Sequence, residues 1–229
     1  MPVQPSSHPP ADYRERACID ASPVLRGASD LQVLETHPVH AGAQTMVVRH
    51  PAGSAFRHME DGCDTEVLVL RGSVRDGGTR FEKGTYLRLP AGSGPQLATD
   101  DGCCLFVKQC PTTERADRVV VATEREEWHP GLVPGLSVMS LHSGMSAHTA
   151  LVRWQPHTRF HAHRHFGGEE ILVLSGVFRD EHGSYPEGTW LRSPHQSQHQ
   201  PFVGAEGTTI LVKVGHLLGV GRAAGSGGD

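Results

Sequence analysis

Lysine is scarce: Lys83, Lys108 and Lys213 are the only three among 229 residues. With a formal net charge of −4 and a pI near 6.5, the chain has no basic field for nucleic acid or an anionic membrane. No run approaches the ~20 apolar residues that cross a bilayer. The N-terminus has neither a basic start nor an apolar stretch of signal type. Residues 1–16 therefore read as a disordered leader, and the expected location is the cytoplasm. Cysteine is sparse too. The five at 18, 63, 103, 104 and 110 are an odd number without a secretion signal, and are expected to be reduced thiols. Cys103 and Cys104 are adjacent, point to opposite faces of a strand, and make a poor metal pair. There is no Cys-x-x-Cys, no phosphate-binding glycine motif and no Ser/His/Asp triad spacing.

What the chain has in plenty is glycine (27), proline (16) and histidine (16). The first two punctuate helices and argue against a long-helix bundle. The histidines are unevenly placed: five precede residue 60 and eleven follow residue 128.

An internal repeat organises the sequence. Residues 66–90, EVLVLRGSVRDGGTRFEKGTYLRLP, align without a gap to residues 170–194, EILVLSGVFRDEHGSYPEGTWLRSP, at an offset of 104. Glu66, Gly72, Asp76, Gly84, Arg88 and Pro90 match Glu170, Gly176, Asp180, Gly188, Arg192 and Pro194. Upstream, Val47–Arg49 pairs with Leu151–Arg153; downstream, Leu105–Lys108 pairs with Ile210–Lys213 after one inserted residue. Each unit is the size of a small domain. The boundaries expected are 17–112 and 119–216, with a polar joint at 111–118 and a flexible Gly-rich tail at 217–229.

Within each unit, Val67–Leu70, Leu105–Val107, Ile171–Leu174 and Ile210–Val212 are short β-rich runs bounded by turn residues. Glycines recur every few residues, which predicts an all-β sandwich or closed barrel. A short helix is expected near Glu124–Trp128. Arg88 and Arg192 occur in both units. They read as structural ion-pair partners of Asp76/Asp180 or Glu66/Glu170. Tyr86 and Trp190 read as barrel-wall aromatics, Trp128 as a packing anchor, and His195 as an exposed turn residue.

The second unit carries Phe160-His-Ala-His-Arg-His-Phe-Gly-Gly-Glu-Glu170. In an extended strand His161, His163 and His165 project to one face. Glu169 follows across a Gly-Gly turn and His199 lies thirty residues on. Imidazoles closed by a carboxylate suit a divalent first-row metal. The residues alone leave two choices open: His161/His163 against His163/His165, and Glu169 against Glu170.

His163-x-His165-(x3)-Glu169-(x6)-Gly176 resembles the first cupin motif, and Gly188-(x5)-Pro194-(x4)-His199 the second. The wider text of residues 167–202 resembles the ChrR-type cupin family, and through the repeat so does the first unit. The resemblance implies two tandem cupin (jelly-roll) β-barrels, a bicupin. It also implies one divalent ion (Fe, Zn, Mn or Ni) in the second, on His163, His165, Glu169 and His199. By the same resemblance Glu169 is the candidate catalytic residue, staying on the metal or acting as a base. His161, Phe178, Tyr185, Trp190 and Arg192 are candidates for a surrounding shell or pocket. In the first unit the four ligand positions fall on Met59, Asp61, Thr65 and Pro95, so no metal is expected there. An unusual site using His58, Glu60 or Cys63 is the alternative.

Three functions follow from the resemblance. One is a metal-dependent dioxygenase on a small enolic, phenolic or diketone substrate. A second is a regulatory or sensor module related to anti-sigma factors. The third is a binding protein whose zinc serves the fold. Sigma-factor binding by this chain alone is not expected, because residues 1–16 lack a helical zinc domain. The expected partners are a small-molecule ligand and a second copy in a homodimer, with no nucleic acid and no membrane.

Overall fold

The computed structural model describes residues 16–18, 30–36, 43–56, 63–93, 96–111, 117–144 and 147–217. The leader and tail lie outside them except for Arg16 and Leu217. Arg16 is in a strand, and Leu217 is buried against Gly168. In chain order the strands are β1 (Arg16–Cys18), β2 (Asp30–Thr36), β3 (Gln44–His50), β4 (Ser54–Phe56), β5 (Cys63–Asp76), β6 (Thr79–Glu82), β7 (Thr85–Leu89), β8 (Leu97–Thr99), β9 (Cys103–Pro111) and β10 (Val119–Ala122). They continue as β11 (His129–Pro130), β12 (Leu136–Ser143), β13 (His148–Trp154), β14 (His163–Arg164), β15 (Glu169–Asp180), β16 (Gly183–Pro186), β17 (Thr189–Ser193), β18 (Gln198–His199) and β19 (Phe202–Val214). No helix occurs among the described residues. The segment expected as a short helix is a turn closed by the Arg125 amide on the Ala122 carbonyl (2.8 Å). Glu124-Arg-Glu-Glu127 offers no apolar stripe to bury, and five residues cannot offset the cost of helix nucleation.

The chain divides into two compact units, Asp20–Trp128 and Met1–Ile19 with His129–Asp229. In the first, an antiparallel sheet runs β10-β7-β5-β9-β3-β2, and β4, β6 and β8 pair beside β5. In the second the order is β1-β17-β15-β19-β13-β12-β11, with β16 on β15 and a separate β14-β18 ribbon. These are two copies of one plan, in register with the sequence repeat. The unit boundaries differ from the expected ones at one strand each. β10 precedes the second barrel in sequence but completes the first, with Val121 opposite Tyr86. β1 precedes the first but completes the second, with Ala17 opposite Trp190. The two strands occupy equivalent repeat positions, so each barrel's edge is closed by the segment that leads into the other.

Each barrel has its own apolar core. Met46, Val48, Val67, Val69, Val74, Phe81, Leu87 and Leu105 lie in the first. Trp154, Ile171, Val173, Phe178, Tyr185, Val203 and Ile210 lie in the second. Bulges make both long central strands bend. In β15 the register shifts between Val173 and Ser175 and again between Gly176 and Phe178. Odd residues (Ile171, Val173) face the core before the bulges and even ones (Phe178) after it. Gly176 (φ 74°) sits where a Cβ would lie 2.2 Å from the Gly207 carbonyl oxygen, so only glycine lets β19 close over the bend. This parity change puts Glu169 and Asp180, both buried, on the interior side of one strand.

The structure gives Arg88 an ion-pair partner that the sequence reading did not name. Arg88 Nη2 bonds Asp64 Oδ2 at 2.5 Å, while Asp76 is taken by Arg118 at 2.6 Å. Register sets Arg192 directly opposite Glu170, and Arg88 opposite Glu66. Of the thiols, Cys63, Cys103 and Cys104 are buried and Cys110 is exposed, and none of these four is in a disulfide.

Candidate metal centre

Three pieces of backbone assemble the centre. The ribbon pairs His163 with His199. It extends through the His165 amide to the Ser197 carbonyl, and the Gln196 amide to the His165 carbonyl, both 2.9 Å. Gly167 (φ 82°) and Gly168 (φ 75°) then turn the chain into β15, where Glu169 is the first residue. A Cβ on Gly167 would stand 2.6 Å from the Gly215 Cα, so the turn closes against the end of β19 only without side chains. His195 accepts the Gly167 amide at Nδ1 (2.8 Å), so this exposed histidine braces the same turn.

One ligand atom from each of His163, His165, Glu169 and His199 lies within 4.8 Å of every other. His163 Nε2 is 3.2 Å from His165 Nε2. Glu169 Oε1 is 3.3 Å from His165 Nε2 and 3.6 Å from His199 Nε2. Donors ~2.1 Å from a common ion stand about 3.0 Å apart in cis-octahedral and about 3.4 Å apart in tetrahedral geometry.

The opposite ring nitrogens decide the tautomers. His163 Nδ1 faces the His161 carbonyl (3.1 Å), which can only accept. His165 Nδ1 faces Ser197 Oγ (2.8 Å), whose own proton goes to the Pro194 carbonyl (2.6 Å). His199 Nδ1 faces Asp180 Oδ2 (3.3 Å). Each Nδ1 therefore carries the proton, and three Nε2 lone pairs point at one another and at Glu169. Glu169 Oε1 is buried and has no hydrogen-bond partner. Three lone pairs and a carboxylate oxygen without a hydrogen-bond partner form a donor set that a divalent cation fits.

Burial is the largest influence on all four groups. Burial pushes the Glu169 carboxyl up to about 7. Burial, then the His199 and His163 charges, push His165 down to about 3. His163 is also lowered by burial. His199 differs: burial opposes its protonation, but Asp180 and Glu169 together hold it above the ordinary value. Asp180 is held low against burial by bonds from His199, Tyr185 and the His182 amide.

The remaining candidates separate. The His161 ring is exposed and stacks on Phe160 (4.1 Å), contributing only its carbonyl. Glu170 faces away and accepts His216 Nε2 at 3.0 Å. Phe178 is buried with its ring 6.1 Å from that of His199. Tyr185 donates to Asp180 Oδ1 at 2.8 Å. Trp190 and Arg192 are not brought to the centre. They sit opposite Leu172 and Glu170, on the face of β15 turned from Glu169. Asp180 and Ser197 escaped the sequence reading. Asp180 has a repeat partner in Asp76 and so looked structural. The cue was its neighbourhood, because Tyr185 replaces Phe81.

In the first unit Thr65 is buried in β5 and Cys63 is buried beside it. His58, Met59, Glu60, Asp61 and Pro95 lie outside the described residues. Among the described residues, the four in the second barrel are the one group of metal-ligating type.

The profile of the ChrR cupin-like domain family matches the chain twice, over residues 20–113 and 116–218. A search of curated proteins gives no match. Solved structures show the same fold at low identity. A candidate dioxygenase of Nostoc punctiforme is 16% identical with a TM-score of 0.71, over 93% of this chain and 80% of that one. YlbA of E. coli is 16% identical with a TM-score of 0.65, over 93% of each chain. A deletion variant of Bacillus subtilis oxalate decarboxylase, an enzyme with Mn(II) centres, is 12% identical with a TM-score of 0.57, over 92% of this chain and 79% of that one. The repeat, the two barrels and the double match agree: the chain belongs to the ChrR cupin-like domain family and carries that domain twice.

Proposed function

We propose that the second barrel holds one divalent ion on His163, His165, Glu169 and His199, and acts as a metal-dependent dioxygenase on a small enolic, phenolic or diketone substrate. The observation that carries this reading is the convergence of three Nε2 lone pairs on a buried, unpartnered carboxylate oxygen. When bound, such an ion supplies Lewis-acid polarisation of a substrate oxygen and, if redox-active, one-electron chemistry.

The protein's own groups do the rest. His161 O, Ser197 Oγ and Asp180 Oδ2 keep the three imidazoles in one tautomer and orientation. Trp154, Phe160 and Phe178 form an aromatic wall behind them, with Trp154 and Phe178 at 5.6 Å and Phe160 5.1 Å from the His163 ring. Trp154 and Phe178 belong to the barrel core, with Phe160 packed against it, so the wall keeps the far side of the imidazoles apolar. Glu169 Oε1 is the atom placed to take a proton from a bound acidic substrate. In this reading the protein works as a cytoplasmic homodimer, and light scattering of the purified chain tests the pairing. No helix among the described residues is long and apolar enough to cross a membrane.

Membership of the ChrR cupin-like family favours a second reading, a regulatory protein with structural zinc. Elemental analysis of untagged protein beside a His163→Ala/His165→Ala variant separates the two. About one equivalent of iron, manganese or nickel, lost in the variant, supports the enzyme and directs a screen of oxygen uptake. One equivalent of tightly held zinc supports the regulator. No metal, or metal retained by the variant, overturns the ligand assignment.

A further inference from the structure

The three ligand histidines are supported unequally. His163 and His165 give their Nδ1 protons to neutral groups, a carbonyl and a hydroxyl. His199 alone faces a carboxylate. That carboxylate is buried, and its other oxygen is fully engaged. Asp180 Oδ1 accepts the His182 amide (2.8 Å), the Gly183 amide (3.0 Å) and the Tyr185 hydroxyl (2.8 Å). Three donors on Oδ1 fix the carboxylate plane and leave Oδ2 for His199.

The first barrel lacks this chain at every link. Asp76 occupies the Asp180 position but is bound to Arg118. Phe81 replaces Tyr185 and has no hydroxyl to give. The His199 position falls on Pro95. The barrel without the ligand set has also lost the device that would orient it.

We propose that Asp180, held by Tyr185, is a positioning residue that selects the Nδ1–H tautomer of His199 and thereby keeps its Nε2 available to a metal ion. The proposal rests on the metal-binding reading above and goes beyond it, because it assigns the affinity of the site to two residues that touch no ligand atom of the ion.

The chemistry makes an unusual prediction for the isosteric variant. In Asp180→Asn the amide oxygen keeps the turn and the tyrosine, because three donors already demand an acceptor there. The NH2 group then faces His199 Nδ1. A donor opposite Nδ1 favours the other tautomer, with the proton on Nε2, where the metal should be. The same tautomer error is why an Asp-to-Asn change in a Ser-His-Asp triad costs so much with so little change of shape. The variant should fold and yet bind metal poorly. Removing an outer-shell partner of a metal-ligating histidine typically costs about 10–100-fold in affinity. Tyr185→Phe keeps Asp180 but frees one Oδ1 acceptor, and a smaller, several-fold loss is expected.

The test uses the full untagged chain with Co(II) alone as probe. Calorimetry gives the affinity, and proton NMR of the loaded protein reads the exchangeable Nδ1–H resonances of the ligand histidines. Wild type should show three such resonances. Asp180→Asn, at saturating Co(II), should lose or strongly shift that of His199 while those of His163 and His165 stay. A purely structural role would not single out one proton. Wild-type affinity and three unmoved resonances in Asp180→Asn would overturn the proposal and leave the metal site standing. Should Asp180→Asn fail to fold, unchanged affinity and an unmoved His199 resonance in Tyr185→Phe would overturn it equally. No Co(II) binding by wild type would instead bring down the metal reading, and this proposal with it.

Discussion

His163 Nε2 and His165 Nε2 face each other at 3.2 Å although both protons sit on the opposite ring nitrogens. Two lone pairs at that distance repel, and in the metal-free protein this arrangement costs stability. A divalent ion converts the same contact into a favourable one. Loading with Mn(II), Fe(II) or Zn(II) should therefore raise the unfolding midpoint of the second barrel. At a thousand-fold excess over Kd the gain is about 4 kcal/mol. For a unit of about 100 residues that unfolds on its own this corresponds to roughly 16 °C or more. Differential scanning calorimetry with and without chelator checks it, and the shift should vanish in His163→Ala/His165→Ala.

Glu169 sets a pH dependence of definite sign in the metal-free protein. Its folded pKa is raised from the ordinary 4.5 to about 7. Between those values the folded chain keeps a proton that the unfolded chain has lost. Stability therefore falls as pH rises through this window, by roughly 3 kcal/mol in all. Glu169→Gln has no such charge to bury. In chelator, the stability of Glu169→Gln relative to wild type should grow from pH 4.5 to pH 7 and then level off. His165 acts in the opposite sense. It is lowered from 6.5 to about 3, so stability is lost as pH falls from 6.5. Both proteins share that loss, and it cancels in the comparison. Urea titrations at pH 4, 5.5, 7 and 8 measure the difference; a constant offset would contradict the assignment.

The two barrels and their long central strands were legible because the repeat preserves Gly72/Gly176 and Gly84/Gly188 in step with the apolar runs. The choice of Glu169 over Glu170 comes from the motif spacing, and in the structure Glu169 shares a face with the core residues Ile171 and Val173. Three other features left little trace. Arg16-Ala-Cys18 is too short to show a period, and its partner β17 lies more than 170 residues away. Asp180 was hidden by its own repeat: an aspartate at the same place in both barrels looks structural, and only the changed neighbours alter its role. The His161 ring turns out because Phe160 gives it a flat surface to stack on, a contact that alternation along a strand does not foretell.

The Gly167-Gly168 turn joins two ligands and should be intolerant of side chains. A Cβ at 168 would lie 2.5 Å from Leu217 Cδ1 and 2.7 Å from its Cβ. Positive φ adds strain of its own. Gly168→Ala should destabilise the second barrel by about 2–3 kcal/mol. Because Glu169 follows directly, metal affinity should fall as well. Leu217→Gly empties the space the new methyl needs, because alanine would leave the Cβ that stands 2.7 Å away. If the clash dominates, the double variant recovers part of the affinity lost in Gly168→Ala. If the φ strain dominates, it recovers none. Chelator-based competition measures which.

The first barrel has its own buried electrostatic anchor, and it predicts that the barrels can be damaged separately. Asp64 is 7% exposed, bonds Arg88 through Oδ2 and accepts the Ala91 amide at Oδ1 (2.9 Å). Asp64→Ala would strand a largely buried guanidinium and an amide together. Removing one partner of such a pair costs about 3–5 kcal/mol, because the remaining charge stays desolvated. Arg88→Met/Asp64→Leu removes both charges and should cost much less. The metal ligands all lie in the second unit, with a separate core. Asp64→Ala should therefore lower the first unfolding transition while the chain still takes up one equivalent of metal. Loss of metal in step with that transition would mean that the second barrel needs the first to fold.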